Sequence, residues 1–324
     1  MTGTAKLRMA ILLAVIAGLA LVPFVVGEFY LLLMTKIAAL AILAISLDLL
    51  LGYSGMISFG HAAFLGVGAY AGAMLAPEYE AANMLITLPL SIAAATLVAF
   101  LIGVLAIRTS GIYFIMVTLA FAQMAFYVAH DTPFFGGSDG RLIFSKPQVR
   151  LGDMVLADLS GNEIYYYTTL GFLIVSYLCL TMIVRSPFGQ IIQGIKSNEQ
   201  RMRALGFPTA KYRLASFVIA GAFAGLAGYL LAYQAEYVSP AMLGWQQSGL
   251  LLMMVILGGS GTLWGPAVGA FLLIAVEEFL ADLTGHWMGL MGLFIVLIVI
   301  FLPHGLAGLA ARIYRPTEAE VDDD

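Results

Sequence analysis

The feature that most constrains this chain is a succession of apolar runs, most of them long enough to cross a lipid bilayer. They fall near residues 9–27, 30–51, 57–76, 84–106, 111–130, 167–184, 212–232, 248–260, 264–281 and 287–303. A helix rises 1.5 Å per residue, so roughly 20 apolar residues cross the ~30 Å hydrocarbon core. Only the run at 248–260 is short. Charged residues make up 10% of the chain, where a soluble domain carries about 25%. A membrane barrel is not expected, because its strands alternate apolar and polar residues and give no continuous runs. The fold class expected is therefore all-α: a polytopic transmembrane bundle of about ten segments, some of them interrupted.

Positive charge orients the bundle. With a cytoplasmic N-terminus, alternating spans place Lys6, Arg8, Arg108, Arg185, Lys196, Arg201, Arg203, Lys211, Arg213, Arg312 and Arg315 inside. That is most of the fifteen Lys and Arg. Arg141, Lys146 and Arg150 fall outside, in one long loop. The bias follows the positive-inside rule with both termini cytoplasmic. The first run, preceded by Lys6 and Arg8, reads as a retained helix, since it exceeds a signal-peptide core and AGLA is a poor cleavage site. Residues 1–311 form the membrane domain, with an external loop at 131–166 and a cytoplasmic loop at 185–211. Residues 312–324 form an acidic cytoplasmic tail.

The cytoplasmic loop carries helix signals. Ser186 and Pro187 suit an N-cap and the first helical position. Phe188, Ile191, Ile192 and Ile195 then form one apolar stripe. Ser197 and Gln200 fit a capping box that starts a second short helix, Gly206 suits a left-handed stop and Pro208 prevents continuation. Two readings stand: an amphipathic helix lying on lipid headgroups, or a docking site for another protein. The polar residues Asn198, Glu199 and Gln200 are poor lipid anchors.

The glycines sort into two kinds. Gly68 and Gly72, Gly221 and Gly225, and Gly261, Gly265 and Gly269 lie at helical spacing and suit close helix packing, within this chain and against a second membrane subunit. Ser216, Ala220, Ala224, Gly228 and Ala232 extend the second face. By contrast Gly52-Tyr53-Ser54-Gly55 and Gly258-Gly259-Ser260-Gly261 interrupt apolar segments. Unwound backbone at membrane depth survives only where protein or a wet cavity satisfies it, and paired breaks in two halves of a transporter point to a substrate pathway. On that reading Gly52, Tyr53, Ser54, Gly55, Ser58, Gly60, His61, Gly259, Ser260 and Gly261 line the pathway. The alternative is two tight cytoplasmic turns, with His61 bonded to a backbone carbonyl.

Asp48, Lys36, Glu277 and Glu278 lie in or near spans. The places of Asp48, Glu277 and Glu278 near span ends favour snorkelling or local pairing over a proton relay. The single Cys179 excludes an internal disulfide. His61, His130, His286 and His304 make no HxxxH or HExxH pair, so no metal site is expected, and no GxxxxGK[ST] motif cradles nucleotide.

The run GQIIQGIKSNEQRMRALGFPTAKYRLASFVIAGAFAGLAGYL, residues 189–230, resembles the permease subunits of ABC importers for branched-chain amino acids. GYSGMISFGHAAFLG and GGSGTLWGPAVGAFLL are similar to the same family, and closer to its M-type than its H-type subunit. The resemblance spans most of residues 35–303. It implies that the cytoplasmic loop is a coupling helix, with Asn198, Glu199, Arg201, Ala204, Leu205 and Gly206 at an ATPase subunit. It also implies a second permease as heterodimer partner, two ATPase subunits, an external binding protein, and a bacterial inner membrane. ATP would be used by the partner subunits, with no cofactor on this chain. Neither catalytic residues nor a nucleic-acid partner are implied.

Leucine, isoleucine and valine are the family's usual solutes, and related permeases carry urea, short amides or aromatic acids. An ion-coupled secondary transporter is the competing class. It would need a paired acid and base or a sodium site at mid-membrane. An intramembrane enzyme would need a nucleophile beside a base, or two metal-binding carboxylates, and no helix carries a Ser–His or Asp–His pair at i, i+3 or i+4 in mid-span.

Overall fold

The computed structural model describes residues 18–77, 80–152, 154–302 and 305–314. Residues 9–17 of the first expected span, with Lys6 and Arg8, lie outside the described residues, as does the acidic tail from 315. Residues 18–25 (α1) are helical. Then follow α2 (Glu28–Asp48), running into a π-helical turn at Leu49–Ser54, α3 (His61–Leu75), α4 (Met84–Ala106), α5 (Ile112–Asp131) and α6 (Asn162–Arg185). Two short helices, α7 (Pro187–Ser197) and α8 (Glu199–Ala204), lead into α9 (Thr209–Ala235). The chain continues through α10 (Trp245–Gly258), α11 (Trp264–Leu283), α12 (Trp287–Phe301) and α13 (Gly305–Tyr314). Among the described residues six helical stretches are long and apolar enough to cross a membrane, and α3 and α10 are shorter apolar helices. The chain is a polytopic helical membrane protein. Its last helix runs to Tyr314, past the boundary expected between 311 and 312.

Two helices are central. The most apolar window of α2 and its π turn is 72% buried and that of α9 is 61% buried, against 28% for α4 and α6 and 22% for α5. The peripheral helices keep one apolar face for lipid, as a bilayer solvent allows. Around α9 the contacts rest on small residues. A Cβ on Gly228 would run into the Leu65 carbonyl, and one on Gly68 into Gly225. Gly221 and Gly225 receive the Ala99 and Ala95 methyls of α4, and Gly72 faces the Tyr229 ring. With no hydrophobic drive between helices in lipid, such backbone approach supplies the packing energy. The first two glycine faces expected from spacing are thus consumed inside this chain rather than offered to a second subunit. In the third, Gly265 and Gly269 abut Gly258 of α10, whereas Gly261 lies outside any helix.

Short strands correct the all-helical expectation. β1 (Arg141–Leu142) pairs antiparallel with β4 (Tyr237–Val238), and β2 (Gln148–Leu151) with β3 (Met154–Asp158). All lie in or beside the loops at the far end of α9 from α7 and α8. That end is tied by Lys146, whose ammonium bonds Asn162, lies 3.8 Å from Glu236 and sits 5.6 Å from the Tyr165 ring centre. Burial pushes this ammonium below its usual pKa, with Glu236 and then Glu28 acting in the opposite direction.

Candidate functional site at the two helix breaks

The first break begins later than the sequence suggests. Gly52, Tyr53 and Ser54 remain in the π turn, and Gly55 ends it in the left-handed region at φ 71°. A side chain there would strain the backbone by roughly 1–2 kcal/mol. Residues 55–60 are non-helical and α3 starts at His61, so the expected helix start at 57 is corrected. The unwound amides find hydroxyls on three sides. Phe59 N–H donates to Thr118 Oγ1 of α5 (3.2 Å), Gly60 N–H to Ser58 Oγ (3.2 Å) and Ala62 N–H to Ser248 Oγ of α10 (3.1 Å). Protein hydroxyls satisfy this backbone, as unwound backbone at membrane depth would require.

His61 is fully buried. The Ser46 hydroxyl donates to the Leu43 carbonyl (2.7 Å) and lies 2.7 Å from His61 Nε2. One hydroxyl thus bridges the Leu43 carbonyl and the His61 ring. Nδ1 has no partner among the described residues. The histidine therefore joins α3 to α2 through a side chain, not through a backbone carbonyl.

The second break lies against the first. Gly259 (φ 101°) and Gly261 (φ 82°) have positive φ, as has the non-glycine Leu263 (φ 57°) that precedes α11. Asp48, 0% exposed, holds this loop: its carboxylate accepts from Gly261 N–H (2.6 Å) and Leu263 N–H (3.0 Å). A carboxylate buried in a span is costly unless hydrogen-bonded, and here two amides of this loop compensate it. Of the two expectations for Asp48, local pairing holds. Gly52 completes the seam, since a Cβ there would stand 2.7 Å from Gly261 Cα. On the other side of the loop, a Cβ on Gly305 at the start of α13 would lie 2.6 Å from Gly259 N.

The short helices reach this seam. Ser186 Oγ caps α7 by accepting from Gly189 N–H, 3.4 Å away, and the stripe at Ile192 and Ile195 is buried. Phe188 meets the Tyr212 ring with centres 5.7 Å apart. The stripe thus packs on protein, against the lipid-surface reading. At the end of α7, Lys196 Nζ donates to the Gly52 carbonyl at 2.5 Å, and its stem lies 2.9 Å from where a Cβ on Gly55 would be. The cap of α8 is Asn198, accepting from Arg201 N–H at 2.9 Å. The Ser197–Gln200 capping box is corrected by one residue, because Ser197 is still the last residue of α7. Gly206 is left-handed at φ 88° as expected.

Glu199 joins α8 to α9. It accepts from Arg203 (2.6 Å) and Thr209 (3.0 Å) and lies 3.6 Å from Arg213. Partial burial alone would raise its pKa; the Arg203 bond, the Arg213 charge and the Thr209 bond outweigh it and hold the carboxyl below its usual value. Asn198, Arg201, Ala204, Leu205 and Gly206 are exposed, Leu205 at 67%.

Of the other residues singled out from sequence, Gly52, Ser54, Ser58, Gly60, His61 and Gly259 are buried, Tyr53 and Gly261 are half-buried, and Gly55 and Ser260 are exposed. The breaks meet, and α7 meets the first of them. Sequence reasoning missed Ser46, Thr118, Ser248 and the role of Lys196. The available signal was the isolated hydroxyl in an apolar helix, which is costly without a buried partner.

A family described as branched-chain amino acid transport system / permease component matches residues 29–302. The chain is 29% identical over 303 residues to the high-affinity branched-chain amino acid transport system permease protein LivM of Salmonella typhimurium, covering 88% of this chain and 71% of that one. It is 25% identical over 297 residues to BraD of Pseudomonas aeruginosa, a protein of the same description, covering 83% and 91%. A shorter match, 29% over 130 residues, covers 37% of this chain and 38% of the autoinducer 2 import permease LsrC of Photorhabdus laumondii. No solved structure matches.

Proposed function

The chain belongs to the family of permease components of branched-chain amino acid transport systems, and on that premise we propose how its two helix breaks serve transport. The family implies separate ATPase subunits and an external binding protein; the chain itself is a transport subunit and not an enzyme. In our reading it pairs with a homologous second permease in a bacterial inner membrane, both termini cytoplasmic, and carries leucine, isoleucine or valine. The shorter helices α3 and α10, with the 20-residue α11, fill out the expected set of about ten segments, with the breaks at membrane depth.

Helices α7 and α8 act as the coupling element, with the tip from Asn198 to Gly206 seated on an ATPase subunit. Movement of α7 is passed to the seam of the two breaks, which opens or closes the cytoplasmic end of the pathway at Gly55 and Ser260. The observation that carries this reading is the Lys196–Gly52 bond of 2.5 Å. It links the end of the short helix directly to the backbone of the first break, and Gly52 abuts the second. The Asp48 carboxylate is engaged with backbone amides, which favours this reading over an ion-coupled one.

Purification in mild detergent, with identification of the chains that co-elute, tests the assembly. We expect two ATPase chains and a second permease. Vesicles holding the assembly, ATP and the binding protein should then accumulate leucine, and competition by urea, short amides and aromatic acids distinguishes the alternative solutes. Accumulation against a gradient by this chain alone, without nucleotide, would overturn the reading.

A further inference from the structure

At the end of the bundle opposite α7 and α8 lies a cleft of about 510 Å³ between the end of α3 and the loop at 133–145. That volume falls within the ~300–1,000 Å³ of small-molecule sites. Its walls combine three chemistries. Asp139 supplies a carboxylate, Arg141 a guanidinium, and Phe134, Leu142 and Phe144 an apolar border. Phe134 is 70% exposed and Leu142 61% exposed. The acid and the base flank Gly140, whose backbone is fixed from both sides. Tyr237 donates to the Asp139 carbonyl at 2.6 Å, and β1 pairs Arg141 with Val238 of β4. Beside the cleft, Tyr70 packs its ring on Phe135, with centres 5.7 Å apart, and its buried hydroxyl has no partner among the described residues.

We propose that this cleft is a reception site for a zwitterionic apolar amino acid, bound with its ammonium at Asp139, its carboxylate at Arg141 and its side chain against the apolar border. The inference rests on the transport reading above and adds a site to it. Opposite charges two residues apart, beside an exposed apolar border, match the charge pattern of an α-amino acid with an apolar side chain. A guanidinium carries five N–H donors, so Arg141 can take a ligand carboxylate in addition to contacts within the chain. The site sits at the far end of α9 from the coupling element. Solute would thus be received at one end of the bundle and released past the breaks at the other.

Three probes test this on the full chain in lipid nanodiscs: L-leucine, leucinamide, which lacks the carboxylate, and 4-methylpentanoate, which lacks the ammonium. Asp139→Asn should weaken leucine about tenfold or more and leave 4-methylpentanoate unchanged. Arg141→Gln should weaken leucine similarly and leave leucinamide unchanged. Asp139→Glu should restore leucine binding toward that of the unaltered chain. Equal loss of all three probes, or no loss, overturns the site, as does a change confined to association with the external binding protein. ATP-driven leucine uptake by the assembled transporter is read in parallel. Normal uptake by both variants refutes the cleft and leaves the permease reading standing, whereas absent uptake with the unaltered chain refutes that reading itself.

Discussion

The glycines between α3, α4 and α9 and the glycines of the two breaks have the same chemistry and opposite jobs. At Gly68, Gly221, Gly225 and Gly228 the absent side chain admits a neighbouring helix, and every nearby atom is backbone, methyl or ring. At Gly55, Gly259 and Gly261 it frees the backbone to unwind, at Gly52 it admits Gly261, and what holds this backbone is polar: the Asp48 carboxylate and the Lys196 ammonium. Dispersion contacts between fixed helices are many and individually weak. The seam instead hangs on a few directional bonds, each of which a moving helix can break. In the proposed mechanism the first region stays fixed and the second moves.

Substitutions that treat the two regions alike should therefore fail differently. The largest effect is expected at Gly228→Leu. Its Cβ would meet the Leu65 carbonyl, which is backbone and cannot yield, so no monodisperse protein should survive size-exclusion chromatography. A well-folded variant would erase the distinction. Asp48→Ala comes next. It leaves two buried amides unpaired, at roughly 1–3 kcal/mol each. We expect a lowered thermal midpoint with assembly retained and uptake lost, and Asp48→Asn should fall between.

Gly55→Leu should cost about 1–2 kcal/mol in backbone strain and displace Lys196. Uptake should stop while co-purification with partner chains persists, and unchanged uptake would reduce the first break to a plain turn. The smallest effect is at Glu199, which lies outside both regions. Its carboxyl is held below the usual value, so the ionised form stabilises the folded loop above its unfolded pKa near 4.5. That contribution is lost as pH falls through the folded value. Glu199→Gln should lower the thermal midpoint at pH 7, and the gap to the unaltered chain should close on acidification. A gap independent of pH would place the contribution in packing instead of charge.

Much of this was legible in the sequence, for reasons the comparison makes plain. Helical periodicity fixes which glycines share a face, so Gly68 with Gly72 and Gly221 with Gly225 are readable from spacing. Their partner is not: spacing cannot tell α9 packing on α3 from α9 packing on another chain. The breaks are readable as Gly-Ser-Gly punctuation. Their meeting is not, because Asp48 and Gly261 lie 213 positions apart. Asp48 near a helix end looks the same whether it snorkels or caps a distant loop. Capping boundaries shifted by one residue because Ser197 and Asn198 are both good caps and only the helix geometry decides between them. The strands at 141–158 were missed because each is too short to show a period.

The central claim is that α7 drives the seam through Lys196. Lys196→Met keeps most of the aliphatic stem, removes the ammonium, and breaks the bond to the Gly52 carbonyl without touching the exposed tip. The direct measurement is leucine imported per ATP hydrolysed, in vesicles holding the assembled transporter and its binding protein. The account predicts continued ATP hydrolysis with leucine per ATP reduced at least tenfold. An unchanged ratio would show that force reaches the breaks by another route and contradict it.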